Sequence, residues 1–201
     1  MVTKRMDGKK RRQQIIEAAL RIVAQKGVTR FTTARLAQET GLSEAGIFKY
    51  YTTKEEILGE ALELVHHTLA QRVKSILEKD LSAREKVWEI LNFQLSFIEK
   101  NQGIPRVVFS EQLYLGSPAL KDKFLSGTER YFTMLRTLIA QGVNEGSFRR
   151  DLDLDMAVST YVGLLQTTVF RWSINDFGWS ISGRARRIFS FLMDSWGYPT
   201  T

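Results

Sequence analysis

Apolar residues recur at helical spacing along almost the whole chain, and this periodicity constrains the fold more than any other feature. Strand-like alternation is scarce, and only three prolines interrupt the 201 residues. The pattern predicts an all-α protein. Its helices are expected at about 9–26, 33–40, 43–50, 54–77, 82–100, 105–116, 118–141, 155–175 and 183–196.

Five of these helices carry start signals. Thr32 or Thr33 is expected to cap the helix that ends at Thr40, and Ser43 the short helix after it. Thr53–Glu56 and Ser82–Glu85 have the spacing of a capping box, in which a hydroxyl and a carboxylate satisfy the first free amides. Ser117 followed by Pro118 predicts a cap with proline at the first helical position, where the missing amide costs nothing. The helix at 155–175 is apolar nearly all round, so one monomer is not expected to cover it completely.

The net charge of +7 lies in the first quarter of the chain. Residues 1–53 contain 11 Lys and Arg but only four acidic residues, whereas residues 54–201 contain 18 of each sign. This asymmetry favours a polyanionic partner for the N-terminal end, with a solvated basic tail as the open alternative. A membrane-surface role is not expected, because the apolar face of the first helix is needed for a helical core.

Composition excludes several classes of protein. With no cysteine there is no disulfide framework or thiolate metal site, and a reducing location such as the cytoplasm is expected. No apolar stretch resembles a signal peptide or a membrane span. The adjacent His66 and His67 point about 100° apart on a helix and cannot share a metal ion. No metal, cofactor or catalytic constellation is therefore predicted.

Residues 33–50 predict a helix, a glycine turn and a second short helix, the geometry that sets a helix into the major groove of DNA. Apolar positions expected to hold the two helices together are Leu36, Ala37, Leu42 and Ile47. Positions left facing outward are Glu44, Ala45, Lys49 and Tyr50. The first-turn amides after Ser43 and at Lys54 provide further anion sites.

The same region resembles the N-terminal part of the TetR family of transcriptional regulators. The residues that carry the resemblance are Gly27, Thr32–Ala37, Gly41–Ser43, Ile47–Tyr51 and Lys54–Leu58. The resemblance implies an all-helical homodimer with a three-helix DNA-binding head and a larger effector-binding and dimerisation domain. We accordingly expect the head at 1–53 and the second domain at 54–201. The implied function is a repressor that a small molecule releases from a pseudo-palindromic operator.

Site residues follow from the resemblance position by position. Thr33, Tyr50 and Lys54 match positions that contact phosphates in the family, and Glu44, Ala45 and Lys49 match positions that read bases. Phe48 stands where the family commonly has a phosphate-binding tyrosine. Because phenylalanine has no hydroxyl to donate, Phe48 is expected only to pack.

The C-terminal part resembles the family only in length and helix layout, so no ligand identity carries over. Dimerisation is expected through the helices near 155–175 and 183–196. Aromatic residues predicted to line a largely apolar effector cavity are Phe93, Phe97, Phe109, Tyr114, Phe132, Tyr161 and Trp172. The open alternative is that these aromatics belong to the core.

The sequence leaves two other functions open. An enzyme finds little support, since the sequence has no metal-spaced residues, phosphate-binding glycine loop or base for a serine nucleophile. The other is a nucleoid-type binder whose C-terminal domain only dimerises.

Overall fold

A computed structural model describes residues 7–116 and 118–197, and this part of the chain is helical without strands. The all-α prediction is confirmed. The α-helices are α1 (Gly8–Lys26), α2 (Thr33–Thr40), α3 (Glu44–Phe48), α4 (Lys54–Leu77), α5 (Ala83–Lys100), α6 (Gly103–Val108), α7 (Glu111–Leu115), α8 (Pro118–Asn144), α9 (Leu154–Ile174) and α10 (Ala185–Trp196). Short 3₁₀ helices lie at Val28–Arg30 and Ser182–Arg184.

Side-chain caps fix the starts of several helices. Oxygens of Thr32, Ser43 and Asp153 accept hydrogen bonds from backbone amides in the first turns of α2, α3 and α9. Ser82 and Glu85 form the predicted capping box before α5, with each side chain accepting from the other residue's backbone amide at 3.3 and 2.9 Å. These caps are local features of the sequence, which explains why the predicted starts of these helices lie close to the observed ones.

The capping box before α4 differs slightly from the prediction. Thr53 Oγ1 accepts from the Glu56 amide at 3.1 Å, as expected, but the Glu56 carboxylate accepts from the Thr52 amide at 2.7 Å. The Glu56 carboxylate therefore binds the amide of Thr52 instead of the predicted amide of Thr53. The predicted cap at Ser117 lies outside the described residues.

The prediction of a single helix at 105–116 is wrong. The chain forms α6 and α7, separated at Phe109 and Ser110, where the Ser110 backbone is extended. The Ser110 hydroxyl donates to the Val107 carbonyl at 2.7 Å and so offers the backbone an alternative to helical pairing. Two other boundaries shift: α3 ends at Phe48, with residues 49–50 in a turn, and α8 continues to Asn144.

The described chain forms two compact units. Unit 1 comprises the described residues up to Val65 together with Asn101–Leu125, and its core joins the buried faces of α1, α2, α3 and the start of α4. Helix α6 packs closely on α1. A Cβ atom at Gly103 would lie 2.2 Å from the Leu20 carbonyl oxygen, so this approach requires glycine.

Unit 2 comprises His66–Lys100 and the described residues from Ser126 onward. Helix α10 packs against α5 and α9. The Phe148 ring meets the Trp196 ring edge-on at a centroid distance of 5.4 Å. Glu145 accepts from the Ala83 backbone amide at 2.6 Å and from the Ser147 hydroxyl at 2.7 Å, which ties the loop after α8 to the start of α5.

Candidate nucleic-acid interface

Helices α2 and α3 form a helix-turn-helix whose turn depends on Gly41. This residue adopts the left-handed conformation, with φ at +67°, which is open to glycine at little cost. Leu36 and Ile47 are fully buried, Ala37 is nearly so and Leu42 packs against the same core. The predicted apolar contacts between the two helices are confirmed.

The outer surface of α3 is exposed. Glu44, Ala45, Phe48 and Lys49 all face solvent, while the intervening Ile47 points into the core. A carboxylate, a methyl group, an aromatic ring and an ammonium group thus share one short helical surface and the turn after it. Such groups can accept from cytosine, touch the thymine methyl and donate to guanine or phosphate.

Phe48 departs from its expected role. Its side chain is 52% exposed, so the expectation that it only packs is not met. An aromatic ring this accessible on the outer surface of α3 is available for van der Waals contact with a thymine methyl or a deoxyribose.

Thr33 and Glu44 contact each other across the two helices. The Thr33 hydroxyl donates to the Glu44 carboxylate at 2.7 Å, so this proton is committed to an acceptor within the protein. The remaining capacity of the Thr33 hydroxyl is as an acceptor. The hydrogen bond fixes Glu44 at the start of α3, where a carboxylate also interacts favourably with the helix dipole.

Arg12 is a site residue that the sequence did not single out. Its guanidinium donates to the Tyr50 carbonyl and to the Glu60 carboxylate, each at 2.8 Å, and stands 4.8 Å from the centroid of the Tyr51 ring. Burial raises the pKa of Tyr51 well above its usual value, so the phenol stays protonated. Arg12 therefore fixes the turn after α3, and the 38-residue separation from Tyr50 left no local signal for it.

The first turn of α1 adds positive charge. Lys9 and Lys10 are exposed, and the first turn contains no acidic residue. Cations at a helix N-terminus interact unfavourably with the helix dipole. Their position next to a basic head suits phosphate binding.

The remaining predicted DNA contacts lie at helix starts. The Ser43 side chain accepts from the Gly46 amide at 3.1 Å, so it serves as the cap of α3. Lys54 is half-buried at the start of α4 and lies 3.9 Å from the Glu55 carboxylate. Tyr50 is also half-buried, in the turn before α4.

The seven predicted ligand residues are divided between the units. Phe109 and Tyr114 belong to unit 1, and Tyr114 is 61% exposed. The others lie in unit 2: Phe93, Phe97, Phe132, Tyr161 and Trp172. The Phe93 and Phe97 rings stack at 5.7 Å on α5, and Phe132 is half-buried on α8. On α9, Tyr161 and Trp172 are almost completely buried.

A separate cleft of about 290 Å³ lies in unit 2. It is bounded by the loop at 149–153, the start of α9 and the end of α10, and none of the seven predicted residues lines it. Within the described ranges no group of three or more potential metal-ligating side chains occurs. None of the described helices combines the length and apolarity that crossing a membrane requires.

An exposed recognition surface on a helix-turn-helix, within a basic three-helix head, defines a DNA-binding protein of the regulator class. Comparison with known sequences agrees. Residues 15–61 match the family described as bacterial regulatory proteins, tetR family, and residues 64–195 match the YsiA-like protein, C-terminal region. The chain belongs to the TetR family of DNA-binding, ligand-responsive transcriptional regulators, which are generally repressors and not enzymes.

Individual relatives cover most of the chain. The HTH-type transcriptional regulator PksA of Bacillus subtilis is 30% identical over 162 residues, which cover 81% of this chain and 78% of PksA. The nucleoid occlusion factor SlmA of Vibrio vulnificus (strain YJ016) is 29% identical over 168 residues, covering 83% of this chain and 86% of SlmA.

Solved structures share the fold. The regulator FadR from Bacillus subtilis in complex with stearoyl-CoA aligns with a TM-score of 0.78 at 22% identity, over 90% of this chain and 97% of FadR. A transcriptional regulator from Saccharomonospora viridis in complex with choline aligns with a TM-score of 0.79 at 23% identity, over 92% and 96% of the two chains.

Proposed function

We propose that this regulator binds a pseudo-palindromic operator as a homodimer and that a largely apolar small molecule releases it. The observation that carries the proposal is the outward surface of α3 and the turn after it. Glu44, Ala45 and Lys49 are exposed there and can contact base edges, while the buried Ile47 anchors the helix in the core. We assign DNA binding to residues 1–53 and effector binding with dimerisation to residues 54–201.

The proposed DNA contacts divide into two kinds. Glu44, Ala45 and Lys49 read base edges from the outer surface of α3 and the turn after it. The groups that position the head on phosphates are Thr33, Ser43, Tyr50 and Lys54. Thr33 donates through its backbone amide at the start of α2, because its hydroxyl proton is committed to Glu44. At Ser43 the hydroxyl oxygen accepts from the Gly46 amide, so the hydroxyl proton is still available to a phosphate, together with the free amides at the start of α3.

Exposed apolar side chains on α9 and α10 support the dimer. Met156, Phe170 and Ile174 on α9 are 62%, 44% and 61% exposed, and Phe191 on α10 is 56% exposed. Residues 156, 170 and 174 have spacings of 14 and 4, which places them on one face of a helix. A twofold partner covering this face would bring two recognition helices to successive major grooves, about 34–36 Å apart or a multiple.

The effector is proposed to bind among the aromatic residues of the helices that follow the head. Support comes from FadR, whose structure contains stearoyl-CoA, and from the Saccharomonospora regulator, whose structure contains choline. An effector that prefers one separation of the two heads lowers DNA affinity by its differential binding to the two states. The aromatic content favours an apolar ligand body.

The decisive experiment measures DNA binding by fluorescence anisotropy, using duplexes from the region upstream of the chain's own gene. Lys49→Ala is expected to weaken specific binding by about 5- to 100-fold, the usual effect of removing one side chain that reads a base edge. The control is Lys74→Ala, which removes the same charge from an exposed position in unit 2, on α4. Equal affinity of Lys49→Ala and wild type for a specific duplex would overturn the proposal.

The dimer is tested separately by sedimentation velocity. Ile174→Glu places a charge on the exposed face of α9 and is expected to shift the protein from dimer to monomer while leaving the helical circular dichroism unchanged. The control is Glu129→Gln, an exposed change on α8. A monomeric wild type, or a dimer unaffected by Ile174→Glu, would refute the proposed interface.

The similarity to SlmA, a nucleoid occlusion factor, keeps the nucleoid-type binder as a second candidate. Footprinting separates the two functions. A regulator protects a few sharp sites near a promoter and releases them when its effector is added. A nucleoid-type binder protects many sites irrespective of promoters.

A further inference from the structure

The core of unit 2 contains one concentrated group of polar side chains. Gln94 on α5, Tyr131 on α8 and Tyr161 on α9 meet through hydrogen bonds, and we call them the amide–phenol cluster. The Tyr131 hydroxyl donates to Gln94 Oε1 at 2.8 Å, and the Tyr161 hydroxyl donates to the same oxygen at 2.5 Å. Three helices thus bring their polar groups to a single carboxamide.

The position of Gln94 is unusual for a glutamine. It is only 2% exposed and lies on the apolar stripe of α5, next to buried Ile90, Leu91 and Leu95. A buried amide without hydrogen-bond partners is costly, so buried polar groups are normally paired. A leucine at this position would fill the stripe without that cost.

Only half of the carboxamide is satisfied within the protein. Both phenols donate to Oε1, and the described residues provide no acceptor for the two N–H groups of Nε2. Both described hydrogen bonds of this amide reach Oε1, so the Nε2 donors are left for a partner outside the protein.

We propose that the amide–phenol cluster is the polar recognition element of the effector site and that Gln94 Nε2 donates to an uncharged carbonyl oxygen of the effector. The inference rests on the proposed effector function. Ketones, esters and thioesters share the required chemistry, an acceptor oxygen with two lone pairs on an otherwise apolar body. The cluster therefore indicates the class of ligand that the proposed effector site binds.

The neutral character of the cluster selects against charged ligands. Burial raises the pKa of both tyrosines well above the usual value, so both hydroxyls stay protonated. None of the three residues has a charged hydrogen-bond partner in the part of the chain that the structure describes. A carboxylate bound to Gln94 Nε2 would lose hydration, and none of the three cluster residues supplies a cation in return; Arg72 instead stands 5.7 Å from the centroid of the Phe93 ring.

The neighbouring side chains supply the apolar surroundings that such a ligand needs. Phe93 and Phe97 lie one residue before and three residues after Gln94 on α5, and their rings stack. Phe132 follows Tyr131 on α8. An acyl chain or a fused-ring body among these aromatics would leave its carbonyl oxygen for the amide.

The test compares two probes that differ only at the carbonyl. Methyl octanoate and octyl methyl ether have the same chain length, and the ether has a methylene group where the ester has C=O. Isothermal titration calorimetry on the full chain is expected to show about fivefold tighter binding of the ester, from one net hydrogen bond. Free octanoate is expected to bind more weakly than the ester.

Variants then assign the preference. Gln94→Met keeps the length of the side chain but removes the donors, so the ester-to-ether affinity ratio is expected to fall to about one. Because Gln94→Met strands two phenols and could impair folding, the triple variant with Tyr131→Phe and Tyr161→Phe removes all three polar groups together. Gln71→Met, the same change at an exposed position of α4 in unit 2, is the matched control and should keep the wild-type ratio.

The outcomes separate this inference from the function on which it rests. Tight binding of both probes with the same ratio in wild type and the Gln94 variants would overturn the role of the cluster and leave an apolar effector site intact. Failure of the wild type to bind either probe, together with normal operator binding, would remove the effector site and the cluster's role together. A ratio that falls only in the Gln94 variants supports the proposal.

Discussion

The close approach of α6 to α1 makes a specific prediction about Gly103. An alanine Cβ would stand 2.2 Å from the Leu20 carbonyl oxygen, 2.9 Å from the carbonyl carbon and 3.0 Å from Cα. All three atoms are backbone atoms of a helix, so no side-chain rotation relieves the clash. Ordinary contact begins at 3.4 Å, and the two helices must therefore separate by about 1.2 Å, the difference between these two distances.

We expect Gly103→Ala to lower the free energy of unfolding by about 1–3 kcal/mol, the usual cost of overpacking a core. For a chain of this length, each kcal/mol shifts Tm by about 2–4 °C, so the drop should be about 2–12 °C. Differential scanning calorimetry measures it directly. Helix propensity alone would predict the opposite sign, since alanine is the better helix former.

The matched control is Gly59→Ala, a change at a second buried helical glycine in unit 1. Its Cβ would meet the long Lys123 side chain at 3.3 Å, which can shift by a few tenths of an ångström, and Leu120 Cδ1 at an ordinary contact distance of 3.7 Å. Tm should stay the same or rise by up to about 2–4 °C, because alanine favours the helix over glycine by about 1 kcal/mol. If Gly103→Ala melts at the wild-type temperature, the tight α1–α6 contact is not part of the folded state in solution.

Three further predictions concern DNA binding and acid stability. Phe48→Ala should weaken operator binding about fivefold with Tm unchanged, because the ring is exposed, and Phe48→Tyr should tighten binding by supplying a hydroxyl to phosphate; anisotropy titrations in which Phe48→Ala binds like wild type would contradict this. Replacing Lys9 and Lys10 by alanine should make the DNA association constant less sensitive to salt. The slope of its logarithm against the logarithm of salt concentration should fall in magnitude by about 0.9 for each phosphate that one of these lysines neutralises, and an unchanged slope would show that neither lysine contacts DNA. Hydrogen bonds from the Ala83 amide and the Ser147 hydroxyl lower the pKa of Glu145, so this carboxylate contributes stability above its unfolded pKa of about 4.3 and loses it as pH falls through the lower folded pKa. Glu145→Gln should therefore lower Tm at pH 7, and the gap should close below pH 4; a gap that is constant with pH would exclude this role.

Local signals account for the parts of the fold that the sequence predicted well. Thr32, Ser43 and Ser82 precede apolar stretches of helical spacing, and each of them caps a helix in the structure. The break at Ser110 was missed because serine is also tolerated inside helices, and only the Ser110 bond to the Val107 carbonyl shows which role it takes.

Contacts between distant residues could not be predicted in the same way. Arg12 donates to Tyr50 across 38 residues, and Gln94 meets Tyr161 across 67. Nothing in the spacing of a single helix indicates which polar group on another helix it will meet. Gln94 carried one usable signal, since it is a polar residue on an otherwise apolar stripe of α5.

The shortness of α3 determines how this head can recognise DNA. A five-residue helix has no stability of its own, because nucleation alone outweighs the few hydrogen bonds it forms. Its shape is set by the Ser43 cap, by the burial of Ile47 in the core and by the hydrogen bond from Arg12 to the Tyr50 carbonyl. None of these groups is an outward-facing side chain of α3. Substitutions at Ala45 and Lys49 should therefore change which bases are read without altering the frame, whereas Glu44 is coupled to that frame through its bond with Thr33.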